Sequence, residues 1–190
     1  MFKNLLALIG LLAIIAVGAL YMNLKSTLSE FDPGAQATYT DLFNKLMESK
    51  NTAEATIWRV PVAEGLTPEE VEESMKSVAN ELNFANVGEL PLYKDIAAKT
   101  GEDHRFVKMY LFCDSLTAAK MLDYNDAFAA YFPCRITLVE DKTGKLWLYT
   151  LNMDMMIYGG ATLPPELKAK AEGVKSVILE IMDRAAEGVF

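Results

Sequence analysis

Hydrophobic and polar positions fall into two regimes along this chain. From Asn4 to Leu24 runs a stretch of 21 residues without a charged side chain, bracketed by Lys3 and Lys25. As a helix rising 1.5 Å per residue it covers about 30 Å, the hydrocarbon thickness of a bilayer, with its backbone groups satisfied internally. The pattern predicts a membrane span over residues 1–25 with Tyr21 near the interface. A cleavable export signal is the other reading, because Val17 and Ala19 suit cleavage after Ala19; against it, the apolar run continues past that point and the positive region before it is thin. Both readings export the remainder. Only Lys3 and the amino terminus precede the run, and the following segment is acidic, which places the amino terminus inside.

Beyond Lys25 the periodicity changes. Asp32-Pro33-Gly34 is a turn signal inside an expected linker, residues 26–52. The same stretch contains an amphipathic helix from about Thr38 to Ser49, with Tyr39, Leu42, Phe43, Leu46 and Met47 on one side. That side has three possible uses: lying on the membrane, meeting a partner, or packing on its own domain. The first four residues are candidate interaction residues. Residues 53–190 read as one domain. Ala55–Val62 alternates as a strand. Thr67-Pro68-Glu69-Glu70 opens a helix with a capping box, and Val71, Met75, Val78 and Leu82 form its core stripe. Phe84–Leu90 is a weaker strand pattern, and Pro91–Thr100 a short helix or loop closed by Gly101. Arg105–Phe112 is a strong strand; Ser115–Met121 and Asp126–Tyr131 look helical. Arg135–Glu140, the turn through Gly144, and Lys145–Leu151 form a hairpin. A long helix then runs from Pro164 with a four-three apolar rhythm through Leu167, Ala171, Val174, Ile178, Ile181 and Ala185. This order predicts an α+β two-layer sandwich with a mainly antiparallel sheet covered on one face.

Composition sharpens the picture. Hydrophobic residues make up 52% of the 190 and aromatics 10%, which excludes a disordered chain. Beyond Lys25 lie 16 basic and 26 acidic side chains, a net charge of −10. Such a surface repels phosphate backbones and anionic lipid headgroups, so neither nucleic acid nor a polybasic lipid contact is expected.

At Cys113-Asp114-Ser115, and at Pro133-Cys134 followed by the acidic-ended strand Arg135–Asp141, the chain resembles the family catalogued as domain of unknown function 302. That family reads Cys-Asn-Pro after one strand and Pro-Cys about twenty residues later. Gly144-Lys145-Leu146-Trp147, Asp154-Met155-Met156 and the closing helix extend the resemblance over approximately Thr56 to Gly188. Here Asp114-Ser115 replaces Asn-Pro, and no proline follows Asp154. The resemblance implies a β-α-β(4)-α fold like the TATA-binding-protein sandwiches, often dimeric, and no established reaction.

Candidate chemistry is sparse. If their strands are antiparallel neighbours, Cys113 and Cys134 lie at one sheet end; two buried thiols, a disulfide and a shared metal are all then open. With Met153, Met155 and Met156, and with His104 nearby in sequence terms as a further soft ligand, they make a set suited to Cu(I). No cofactor is required by any motif. With one histidine there is no defensible catalytic triad, no Cys-x-x-Cys, no His-Glu-x-x-His and no glycine-rich phosphate loop. The glutamates 69, 70, 72 and 73 read as a solvated helix start, and Tyr158-Gly159-Gly160 as a flexible loop. The expectation is a non-enzymatic, single-span protein of a bacterial inner membrane. Its amino terminus would be cytoplasmic and its domain periplasmic, serving as an accessory subunit or self-associating. The alternative is a periplasmic small-ligand or copper and thiol-redox binder.

Overall fold

The apolar run Asn4–Leu24 lies inside one helix, and the signal at Thr67–Glu70 starts another, in a computed structural model, which describes residues 2–190 and, apart from residues 2–9 and Leu24, their side chains. The chain runs α1 (Phe2–Leu28), α2 (Ala35–Ser49), a short α3 (Thr52–Ala55), β1 (Ile57–Pro61), α4 (Pro68–Glu81), β2 (Ala85–Leu90), α5 (Leu92–Thr100) and β3 (Val107–Cys113). It continues through α6 (Ser115–Tyr124), a 3-10 turn (Asp126–Tyr131), β4 (Cys134–Glu140), β5 (Leu146–Leu151), α7 (Asp154–Tyr158) and α8 (Pro165–Ala186). The segment Gly10–Leu28 is long and apolar enough to cross a membrane, and none of its window is buried by the rest of the protein.

The five strands form one antiparallel sheet in the order β1-β5-β4-β3-β2. β1 and β2 are therefore opposite edges, and the α4 connection between them crosses the sheet. The capping box forms as the sequence implies: Thr67 Oγ1 accepts from the Glu70 N–H, and the Thr67 N–H donates to Glu70 Oε2 at 2.7 Å. Alternation along the strands then sorts the residues by face. Val60, Tyr110, Phe112, Ile136, Leu138 and Leu148 point to one side, where Val71, Met75 and Val78 of α4 and Ile178, Ile181 and Met182 of α8 close the core. Each fully buried aliphatic side chain there contributes about 1.5–3 kcal/mol. The edges are blunted against further pairing by Pro61 on β1 and by a bulge between Asn86 and Gly88 on β2.

Contacts decide two local readings. Residues 26–52 do not hang free of the domain: of the three uses open to their amphipathic helix, packing on the domain is the one its inner side takes. The Asp32 N–H donates to Gly160 O at 2.8 Å, Phe31 bridges to Ala161, and the Tyr39 hydroxyl donates to Gly159 O at 2.6 Å. Asp32 itself, buried, pairs with Lys168 of α8 at 2.5 Å. Nor is Gly159 in a flexible loop: it is buried at the end of α7, where a Cβ would come within 2.4 Å of Met155 O. Met155 and Met156 lie in α7, with Met153 at its N-cap, a helix too short to carry a periodic signal.

Candidate functional site

Cys134 sits directly across from Phe112 in the β3–β4 ladder, so Cys113 lies one residue beyond that pair, at the same end of the sheet. Antiparallel pairing thus brings the two cysteines together, as free thiols. Both line a small cavity of about 20 Å³ whose wall also includes Met121 of α6, Phe132 and Met156 of α7, with Ala171 and Val174 of α8 behind. Burial pushes the Cys134 thiol up to about 11, with Cys113 adding to the effect; burial and then Asp114 raise Cys113. Both groups are therefore thiols at neutral pH. Asp114 is committed to capping α6, its Oδ1 accepting from the Leu116 and Thr117 N–H groups and its Oδ2 from the Thr117 hydroxyl.

Of the expected metal set, the cavity gathers Cys113, Cys134 and Met156. Met153 is buried in the main core, Met155 does not line the cavity, and His104 is exposed beside Arg105. The residue that sequence reasoning missed is Met121, fully buried. Its signal was available: Thr117 and Met121 are four apart on a helix that starts two residues after Cys113, so they share its inner face.

A second candidate surface is the sheet face away from α4 and α8. It carries Ile57, Arg59, Met109, Leu111, Thr137, Val139, Trp147 and Tyr149, all but Arg59 only partly exposed, while the core helices α4 and α8 lie on the other side. α2 and α3 border it at Lys45, Glu48 and Glu54, around a depression of about 680 Å³ that reaches Arg59 and Tyr149. Trp147 is held rigidly. Its Nε1–H donates to Asp141 Oδ2 at 2.9 Å, and Arg59 and Lys145 lie 5.1 and 5.0 Å from its ring centroid. The Asp141 carboxyl is in turn held well below the usual range, first by the Thr143 hydroxyl and N–H, then by Trp147.

The helix α2 divides its apolar arc. Ala35, Thr38 and Leu42 are buried or partly buried in the face turned to α7, so Leu42 is drawn into the docked side. Tyr39, Phe43, Leu46 and Met47 remain exposed about a quarter turn away. Tyr39 and Phe43 share a groove of about 670 Å³ with Leu28, the last residue of α1.

The glutamate run also resolves unevenly. Glu73 is exposed, but Glu72 accepts from Lys108 Nζ at 2.7 and 2.8 Å, from Lys76, and from the Tyr110 hydroxyl at 2.9 Å. Glu89 of β2 closes the network onto the same two lysines at 2.7 and 2.8 Å.

A family model described as "Domain of unknown function DUF302" matches residues 58–185. Among solved structures, the chain is similar to an uncharacterized conserved DUF302 protein from Bacillus stearothermophilus, with a TM-score of 0.56 and 16% identity. That match covers 68% of this chain and 98% of the other; at this identity it speaks to the fold alone. No curated protein matches. Both α1 and the docked α2 precede the matched residues.

Proposed function

The chain belongs to the DUF302 family, whose description assigns no reaction, and we propose that it is a single-span, membrane-tethered interaction subunit. Its α+β domain would be exported, on the periplasmic side of a bacterial inner membrane, and would act by contact with a second protein chain rather than by turnover. The observation that carries this reading is the open sheet face, where Trp147, Tyr149 and Arg59 lie side by side. These three residue types dominate binding energy at protein interfaces, because they combine large apolar area with a polar or charged end. Trp147 is already immobilised by Asp141 and two cations, so little side-chain freedom is left to lose on docking. The face is mainly apolar, with Arg59 as its one charged member, and Glu48 and Glu54 border it, which favours a partner with an apolar centre and a rim of mixed charge. The exposed flank of α2 at Tyr39, Phe43 and Leu46 would extend the contact toward the membrane.

Native mass spectrometry of the full-length chain, extracted in detergent from its own membrane, tests this. The expected result is a stoichiometric companion chain, either a second copy or a different subunit. Val139→Glu and Tyr149→Glu should each release it, since an unpaired charge would be buried in the interface, while the far-UV circular dichroism of the domain is unchanged. A bare single chain in the native preparation overturns the reading, as does a companion retained by both variants.

A further inference from the structure

We propose that Cys113, Cys134, Met121 and Met156 form a binding site for one Cu(I) ion, in the cavity where β3, β4, α6 and α7 meet. This site is independent of the open sheet face and would function whether or not that face docks a partner.

Four residues with sulfur-bearing side chains, from four different elements, line one cavity of about 20 Å³. That volume is on the scale of a single water or small ion and far below that of an organic ligand. The rest of the lining directs the chemistry. Ala118, Ala171 and Val174 supply no donor atoms, and Phe132 supplies only a hydrocarbon ring. The one lining carboxylate, Asp114, spends both oxygens on the N-terminus of α6. Thr117, the lining hydroxyl, donates to that same carboxylate. The lining side-chain oxygens are therefore tied into the first turn of α6, and the remaining side-chain donor atoms are sulfur, two thiol and two thioether. Hard cations such as Mg(II) and Ca(II) need oxygen shells. Structural Zn(II) takes four Cys or His ligands, of which this cavity offers two. Thiolate with thioether is the donor combination that selects monovalent copper.

Binding balances without any electron transfer. The ion enters and leaves as Cu(I). Each cysteine Sγ gives up its proton to solvent and donates a lone pair to the metal, and each methionine Sδ donates a lone pair without losing a proton. Two protons are released per ion, and the bound site carries one net negative charge. The two half-exposed groups at the mouth, Cys113 and Asp114, give the ion a path from solvent.

The test is an anaerobic titration of the full chain in detergent with Cu(I), competed against a chromophoric Cu(I) chelator, together with X-ray absorption of the loaded protein. One equivalent should be retained through desalting, with only sulfur in the first coordination shell. Cys113→Ser and Cys134→Ser should abolish retention. Met121→Leu and Met156→Leu conserve volume and so preserve the fold, yet each should raise the dissociation constant about tenfold or more, since even loss of an outer partner of a metal ligand costs that much. Met153→Leu and Met155→Leu should leave it unchanged. The proposal is overturned if no stoichiometric copper is retained or if the double Cys→Ser variant still holds it. It is equally overturned if Met153→Leu and Met155→Leu weaken binding as much as Met121→Leu and Met156→Leu, or if Zn(II) displaces Cu(I) at equal concentration.

Discussion

Glu72→Ala is expected to lower the unfolding free energy of the domain by about 3 kcal/mol and its Tm by roughly 6–12 °C, whereas Glu73→Ala one residue away should change either very little. The two carboxylates differ only in what surrounds them. Glu72 is 22% exposed and meets Lys108, which is 14% exposed, at 2.7 Å. Removing it leaves Lys108 to Glu89 alone and strips the acceptor from the Tyr110 hydroxyl, on a residue with no exposed surface. A mostly buried cation reduced to one partner and an unsatisfied buried donor are both costly consequences of a polar deletion.

The same network sets an acid limb. Burial alone would push the Glu72 carboxyl up, but hydrogen bonds from Lys108, Lys76 and Tyr110 outweigh it and hold the group at about 2. Because the folded value lies below the ordinary value of 4.5, the stability it confers is complete above that pH and drains away as pH falls from about 4.5 toward 2. Glu72→Gln removes this titration. Urea unfolding between pH 7 and pH 2.5 should show a steep loss below pH 4.5 for the native chain and a shallower one for the variant. Parallel acid limbs, or a loss under 1 kcal/mol for Glu72→Ala at pH 7, would mean that solvent already screens the network.

Glu72 also marks where sequence reasoning stops. The start of α4 and its core stripe were legible because a capping box and a 3.6-residue rhythm are local: Thr67, Glu70, Val71, Met75 and Val78 speak for themselves. The hairpin of β4 and β5 was legible for the same reason. What distinguishes Glu72 from Glu73 is a lysine 36 residues later on β3, and no local pattern reports it. The sulfur cavity was half legible. Adjacent strands fixed where Cys113 and Cys134 would meet, but proximity in sequence suggested Met153 and Met155, which the short α7 turns elsewhere, while Met121 on α6 arrives from the other side. The apolar arc of α2 was visible, but not its division into a docked side and an exposed flank. That division depends on Gly159 and Gly160, more than a hundred residues away.

Asp32→Ala is expected to release α2 from the domain while leaving the sheet and its core folded. Asp32 is the hub of the docked turn. Its side chain is 1% exposed, it pairs with Lys168 at 2.5 Å, and its Oδ1 accepts from the Gly34 N–H at 2.8 Å to hold the entry to α2. Lys168 is 24% exposed and lies beside an open cleft, so the cost should fall below that of breaking a fully enclosed pair, at about 2 kcal/mol. If docking opens as a local unit, that energy raises the open population about 30-fold, and proteolysis between residues 29 and 50 should accelerate by a similar factor. Lys168→Met should act in the same direction, and the double variant should cost less than the two singles summed, since both remove one interaction. Acid should imitate the variant. Burial alone would raise the Asp32 carboxyl, but Lys168 and the Gly34 N–H hold it below its ordinary range, so docking persists at neutral pH and weakens as pH drops through that range. Equal cleavage rates for native chain and Asp32→Ala would show that the Tyr39–Gly159 contact and the Phe31–Ala161 bridge hold α2 unaided. If cleavage does accelerate, the Asp32–Lys168 pair is what holds the segment that follows the apolar helix against the domain.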